Sequence, residues 1–136
     1  MVAQLHDVPG NFTDDVIVET HAAATATEKR LLWVAPYAVK IVSIVAYFDA
    51  AGTGDNTNTT NINTINGGTA GTGTTEIGNK DYVLATDIVV GTPQSLYAPT
   101  NPVAYAAGVH IILQFEKVGT GLAIPRGLYR ITYQGN

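Results

Sequence analysis

The chain has 136 residues and no cysteine, which removes disulfides, cysteine-based zinc sites and cysteine nucleophiles together and leaves the redox compartment open. Charge is also scarce. Asp, Glu, Lys and Arg make up 13% of the residues, about half of the roughly 25% usual in globular domains. Seven basic residues against eleven acidic ones give a formal charge of −4. With no basic cluster to grip a phosphate backbone, nucleic acid is not expected as a partner. The two serines, Ser43 and Ser95, lie outside any Gly-x-Ser-x-Gly elbow. No stretch approaches the ~20 apolar residues of a membrane span; the longest candidate, 38–48, is interrupted by Lys40 and Ser43. Met1 to Asn11 lacks both a basic start and an apolar run, so export by a signal peptide is not expected.

What remains is apolar and neutral. Hydrophobic residues reach 46%, and a surface so poor in charge must be covered by Thr, Asn and Gly or by other subunits. The length suits one domain, which can build a core without staples.

β-Branched and aromatic residues recur in short runs between Gly, Pro, Asn and Asp clusters, which predicts an all-β chain. Tyr129, Ile131 and Tyr133 alternate with Arg130 and Thr132, a half-buried strand by its period of two. Val109, Ile111, Leu113 and Phe115 alternate with His110, Ile112, Gln114 and Glu116, with Ile112 as the one exception. Between Val39 and Phe48 both alternate sets are largely apolar, so that strand is central or covered by a neighbouring subunit. Further strands are expected over 16–20 and 26–34.

Asn66-Gly67-Gly68 reads as a tight hairpin turn, and Ile124-Pro125-Arg126-Gly127 as a type I turn joining a short strand near 121–124 to the terminal strand. Pro93, Pro99 and Pro102 break their region into loops or edge strands. The Gly-, Thr- and Asn-rich stretch 50–79 is read as an ordered hairpin rather than a flexible loop, because Ile62, Ile65 and Ile77 are spaced among strand-favouring threonines. Many short strands with frequent turns imply a β-sandwich or jelly roll with an extended N-terminal segment. The division is residues 1–29, an arm or first strand, and residues 30–136, the sandwich.

Candidate chemistry is thin. His6, His21 and His110 are scattered and have no metal-ligand spacing. Asp55-Asn56-Thr57-Asn58-Thr59 lacks the central Gly and closing Glu of an EF-hand loop and reads as an Asx turn. Gly71-Thr72-Gly73-Thr74-Thr75 has no Lys and no following helix, so it is not a phosphate loop. Trp33 and the tyrosines could form a stacking surface, but filling a core or an interface is the favoured reading. No metal, no cofactor and no enzymatic activity are expected.

Two stretches carry a resemblance: Asp55-Asn56-Thr57-Asn58 through Asn66-Gly67 to Gly71-Thr72-Gly73-Thr74-Thr75-Glu76-Ile77, and Val118 to Gly127 followed by Tyr129-Arg130-Ile131-Thr132-Tyr133. With Ala35-Pro36-Tyr37 ahead of an apolar strand, they resemble the small virion head proteins of tailed bacteriophages, the capsid decoration or cement proteins. The resemblance covers roughly 35–133 and implies a sandwich or jelly-roll module, often trimeric, bound outside the major capsid protein shell. It implies a place on the virion surface after assembly in the host cytoplasm, and no active site.

The expected partners are therefore the major capsid protein and further copies of the chain, as a trimer. Candidate interface residues are Val16, Val18, Trp33, Tyr37, Val42, Ile44 and Phe48. Residues 1 to about 29 are read as an arm reaching a neighbouring subunit or the shell, the alternative being a first strand folded back into its own sandwich. The competing function is a carbohydrate-binding or receptor-binding module, which exposed aromatics in a shallow groove would favour; a broad apolar patch would favour assembly.

Overall fold

The computed structural model describes residues 10–23 and 26–136. Nine strands follow one another: β1 Phe12–Val18, β2 Glu28–Val34, β3 Val39–Phe48, β4 Thr59–Asn66, β5 Thr75–Asp81, β6 Gln94–Tyr97, β7 Val103–Tyr105, β8 His110–Val118 and β9 Gly127–Gly135. No helix occurs among the described residues. One sheet runs β1-β9-β3-β6, with β7 also on β3; the other runs β2-β8-β4-β5.

Every pairing is antiparallel, and strands equally far from the middle of the chain pair with each other: β4 with β5, β3 with β6 and β7, β2 with β8, β1 with β9. Such a chain is one long antiparallel hairpin rolled into two facing sheets, which is a jelly roll. The sandwich expected from the strand pattern is present, with β6 and β7 sharing one strand position interrupted at 98–102, where Pro99 and Pro102 cannot donate to a ladder.

Alternation sets the core. Tyr129, Ile131 and Tyr133 of β9 and Ile111, Leu113 and Phe115 of β8 point inward and are buried. The Phe48 ring meets Tyr129 at 6.0 Å and 89° and Tyr82 at 6.3 Å and 79°, edge-to-face contacts that suit the ring quadrupoles. On β3 the two-sided apolar pattern has a local cause. A bulge between Ile41 and Ser43 in the pairing with β9 inserts one residue and switches the inward set. Val39 and Ile41 face the core before it, and Ile44, Ala46 and Phe48 after it. The strand is central, and its outward residues Val42, Val45 and Tyr47 are half-buried.

Several expectations are corrected. The strand expected over 16–20 is β1, shifted to Phe12–Val18 and paired along its length with β9. For these residues the first strand folded back into its own sandwich replaces the arm. Its inward Phe12, Val16 and Val18 gain a shared core that a lone strand lacks. Residues 1–9, the rest of the proposed arm, lie outside the described residues. A boundary at residue 30 would cut through β2. The hairpin at Asn66 is real but has no two-residue turn: β5 begins only at Thr75. Gly68 is left-handed (φ +65°) while Gly67 is not, and the connection closes through Gly73 N–H donating to the Gly67 carbonyl at 2.8 Å. No strand forms at 121–124; Ile124 instead makes an isolated bridge with His21.

Candidate interaction surface

The antiparallel winding sends alternate connections to opposite ends. One end gathers 19–23, 26–27, 49–58, 82–93 and 119–126; the other gathers 35–38, 67–74 and 106–109. At the first end two long connections are bound to each other. Ile88 N–H donates to the Gly52 carbonyl at 2.7 Å, and Gly52 N–H to that of Ile88 at 3.1 Å. Gly54 N–H donates to Asp87 Oδ1 at 2.8 Å, and Leu84 N–H to Asn56 Oδ1 at 3.0 Å. Gly91 N–H closes the loop onto the Phe48 carbonyl at 3.0 Å. A side chain at Gly54 would overlap the carbonyls of Val83 and Thr86, so the two loops approach this closely only because residue 54 is glycine.

Tyr82 and Ile88 anchor the second loop in the core, at 0% and 1% exposure. Each anchor is followed by apolar residues turned to solvent: Val83 and Leu84 after the first, Val89 and Val90 after the second. Leu84 is 66% exposed. It sits in a turn closed by Thr86 N–H on the Val83 carbonyl, 2.8 Å, with Ala85 at φ +66°. A left-handed non-glycine residue costs roughly 1–2 kcal/mol. These residues form an apolar knob on a backbone that is hydrogen-bonded in place. Large exposed apolar groups on a fixed frame are a candidate surface for contact with another molecule.

At the same end, residues 19–21 are pinned by a titratable cluster. His21, 1% exposed, stacks on Phe115 at 4.8 Å between centroids and bonds Glu28 Oε2 through Nδ1 at 3.1 Å. Arg30 donates to both Glu28 oxygens at 2.8 and 3.1 Å, and to the carbonyls of Glu19 and Thr20. Hydrogen bonds from Arg30 and then His21 pull the Glu28 carboxyl down to about 2. The arrangement serves to fasten the loop: among the described residues no group of three or more His, Cys, Asp or Glu is placed to hold a metal ion.

The candidate interface residues fall in three places. Val18, Trp33, Ile44 and Phe48 are buried in the chain's own core, which leaves them little surface to offer a second copy. Trp33 also donates its indole N–H to Asp14 Oδ2 at 2.7 Å and packs on Tyr133 at 5.1 Å, where burial, followed by the Asp14 charge, pushes the Tyr133 phenol up to about 12. Val16 and Tyr37 pack half-buried against that core. Val42 alone stands on an outer face, half-buried beside the β3 bulge. The knob itself went unread; its signal was the pairing of Val83-Leu84 and Val89-Val90 without a period of two.

Most of the aromatics fill the core, while Phe12, Tyr37 and Tyr47 are half-buried. Trp33, Tyr82, Tyr97, Tyr105, Tyr129 and Tyr133 are all buried. A shallow groove of about 330 Å3 between β5 and β6 is lined by Ile77 to Asn79 and Ser95 to Pro99. Its one ring, Tyr97, is 7% exposed and bonds Tyr105 hydroxyl to hydroxyl at 3.2 Å, so it offers no stacking face. No known protein family, curated protein or solved structure matches the chain.

Proposed function

We propose that this protein is a structural capsid decoration (cement) protein, which binds the outside of a bacteriophage major capsid protein shell as a homo-oligomer and stabilises it. The observation that carries this reading is the knob: Val83, Leu84, Val89 and Val90 are exposed on a loop hydrogen-bonded to its neighbour at Tyr82, Leu84 and Ile88. Burying such residues against a partner gains roughly 25 cal/mol per Å2 of apolar surface, and a frame already ordered loses little entropy on docking. A trimer on the virion surface is the assembly that the resemblance in 35–133 implies. Sugar binding is the weaker reading because most of the rings it would use are in the core and Tyr47, on the outer face of β3, is covered by Arg130.

Binding tests this directly. Purified protein added to shells lacking it should saturate their outer surface and raise the temperature at which they rupture. Shells that sediment without it, and rupture at an unchanged temperature, would refute the reading.

A further inference from the structure

Asn66-Gly67 is the one Asn-Gly pair in the chain, and Asp-Gly does not occur. The pair is a chemical liability. An asparagine amide is thermolabile, and with no side chain on the next residue the following backbone nitrogen reaches the asparagine Cγ unobstructed. The fold needs the glycine for another reason. A Cβ at residue 67 would stand 2.7 Å from Ile112 Cδ1 and 3.2 Å from the His110 carbonyl oxygen, so the close approach of this connection to β8 keeps the labile pair in place.

Of the two groups that must react, one is prepared and the other is held. Gly68 N–H donates to Asn66 Oδ1 at 2.9 Å, the oxygen on which charge develops during attack on Cγ. The nucleophile is the Gly67 nitrogen, which attacks only after giving up its proton. That N–H donates to the His110 carbonyl at 2.8 Å, while the Gly68 carbonyl accepts from His110 N–H at 3.0 Å and from His110 Nδ1 at 3.1 Å. A carbonyl is no base. While these three bonds hold, the proton stays on the Gly67 nitrogen and the buried residue 67 stays turned toward β8.

We propose that Asn66 is a site of spontaneous modification gated by this connection: opening of the His110 contacts frees the Gly67 nitrogen to attack Asn66 Cγ. The new bond closes a succinimide as the Cγ–Nδ2 bond breaks, and the Gly67 proton leaves with the amide group as ammonia. Water then opens the ring at either carbonyl, giving aspartate or isoaspartate, and nothing is oxidised or reduced. Both products put a carboxylate beside connections that have no charged residue. Isoaspartate also adds a methylene to the main chain where residue 66 pairs with Thr75 and Ile111, which breaks both registers there. The closed end thus guards its own labile pair, and loss of Asn66 records how often that end opens.

Full-length protein is held at mildly alkaline pH, folded in buffer or unfolded in concentrated guanidinium chloride, and digested at intervals. Mass spectrometry then follows amide-to-acid conversion at each asparagine. Conversion of Asn66 should be at least roughly tenfold slower in the folded chain, and in the unfolded chain it should run ahead of every other asparagine. A smaller ratio, or another asparagine converting first when unfolded, would overturn the proposal. His110→Ala removes the ring's bond to the Gly68 carbonyl and should raise the folded rate severalfold with circular dichroism unchanged; a folded variant that keeps the wild-type rate would contradict the gate. Amide hydrogen exchange at Gly67 reads the gate without a substitution. Its protection in the wild type should match the ratio of the two conversion rates, and an unprotected Gly67 would contradict the gate as well.

Discussion

The two ends of the jelly roll are built from the same kind of loops and finished in opposite ways. At one end, connections 35–38, 67–74 and 106–109 contain no charged residue and consist mainly of Gly, Thr and Ala. Their hydrogen bonds run inward: Gly67 N–H to the His110 carbonyl at 2.8 Å, His110 Nδ1 to that of Gly68 at 3.1 Å, and Gly108 N–H to that of Ala35 at 2.8 Å. At the other end sit Glu19, Asp49, Asp55, Asp87 and Arg126, the His21–Glu28–Arg30 cluster and the apolar knob. One end covers itself with small residues, whereas the other spends glycines and carboxylates to hold large apolar residues out in water. Folding alone gains nothing from exposing Leu84.

Removing the residues before Arg30 tests that difference most severely. It deletes the 19–27 connection at the knob end and strips β9 of β1 along its whole register. The shortened chain should lose its β-sheet circular dichroism; a folded product would mean that β1 and this connection are dispensable. Next in size, Gly54→Ala at the knob end drives a methyl group into the Val83 and Thr86 carbonyls and should cost about 3 kcal/mol. Gly68→Ala at the quiet end meets open space and only the left-handed backbone (φ +65°), costing about 1 kcal/mol. Urea denaturation of the pair should separate them in that order.

Acid should act at the knob end through Glu28, and also through Asp15 on β1, whose carboxyl the Arg130 hydrogen bond lowers. Glu28 has its folded value at about 2, below its ordinary 4.5. Its contribution is therefore complete above about pH 4.5 and lost as pH falls through about 2. Between those values the wild-type melting temperature should drop more steeply than that of Glu28→Gln; parallel profiles would show that the cluster does not fasten the loop. The smallest expected effect is that of Leu84→Ala on folding. With its side chain mostly in solvent, stability should change by less than about 0.5 kcal/mol, and a larger loss would mean that the knob packs within its own chain.

Much of the sandwich was legible because its central strands obey a period of two: β8 and β9 read directly from their alternating residues. β3 was less transparent, since a bulge exchanges its faces and makes an ordinary one-sided strand look apolar on both. That ambiguity misplaced Ile44 and Phe48 as interface residues, and both are core. β1 was underrated because Asp14 and Asp15 interrupt it. Asp14 is nevertheless half-buried, accepting from Trp33, while Asp15 is paired with Arg130, partners 19 and 115 residues away that no local pattern reveals. The knob depends on Gly54 and Asn56 reaching across to 83–87, a contact between two loops that neither loop advertises by itself.

The central claim is that this jelly roll works from the outside of a capsid, with its apolar end engaged. Imaging intact phage particles that carry the chain tests it most directly. The account predicts density for the jelly roll on the outer surface of the shell, with Val83, Leu84, Val89 and Val90 covered by a neighbouring protein. Particles without the chain, or with it attached and those four side chains facing solvent, would contradict it.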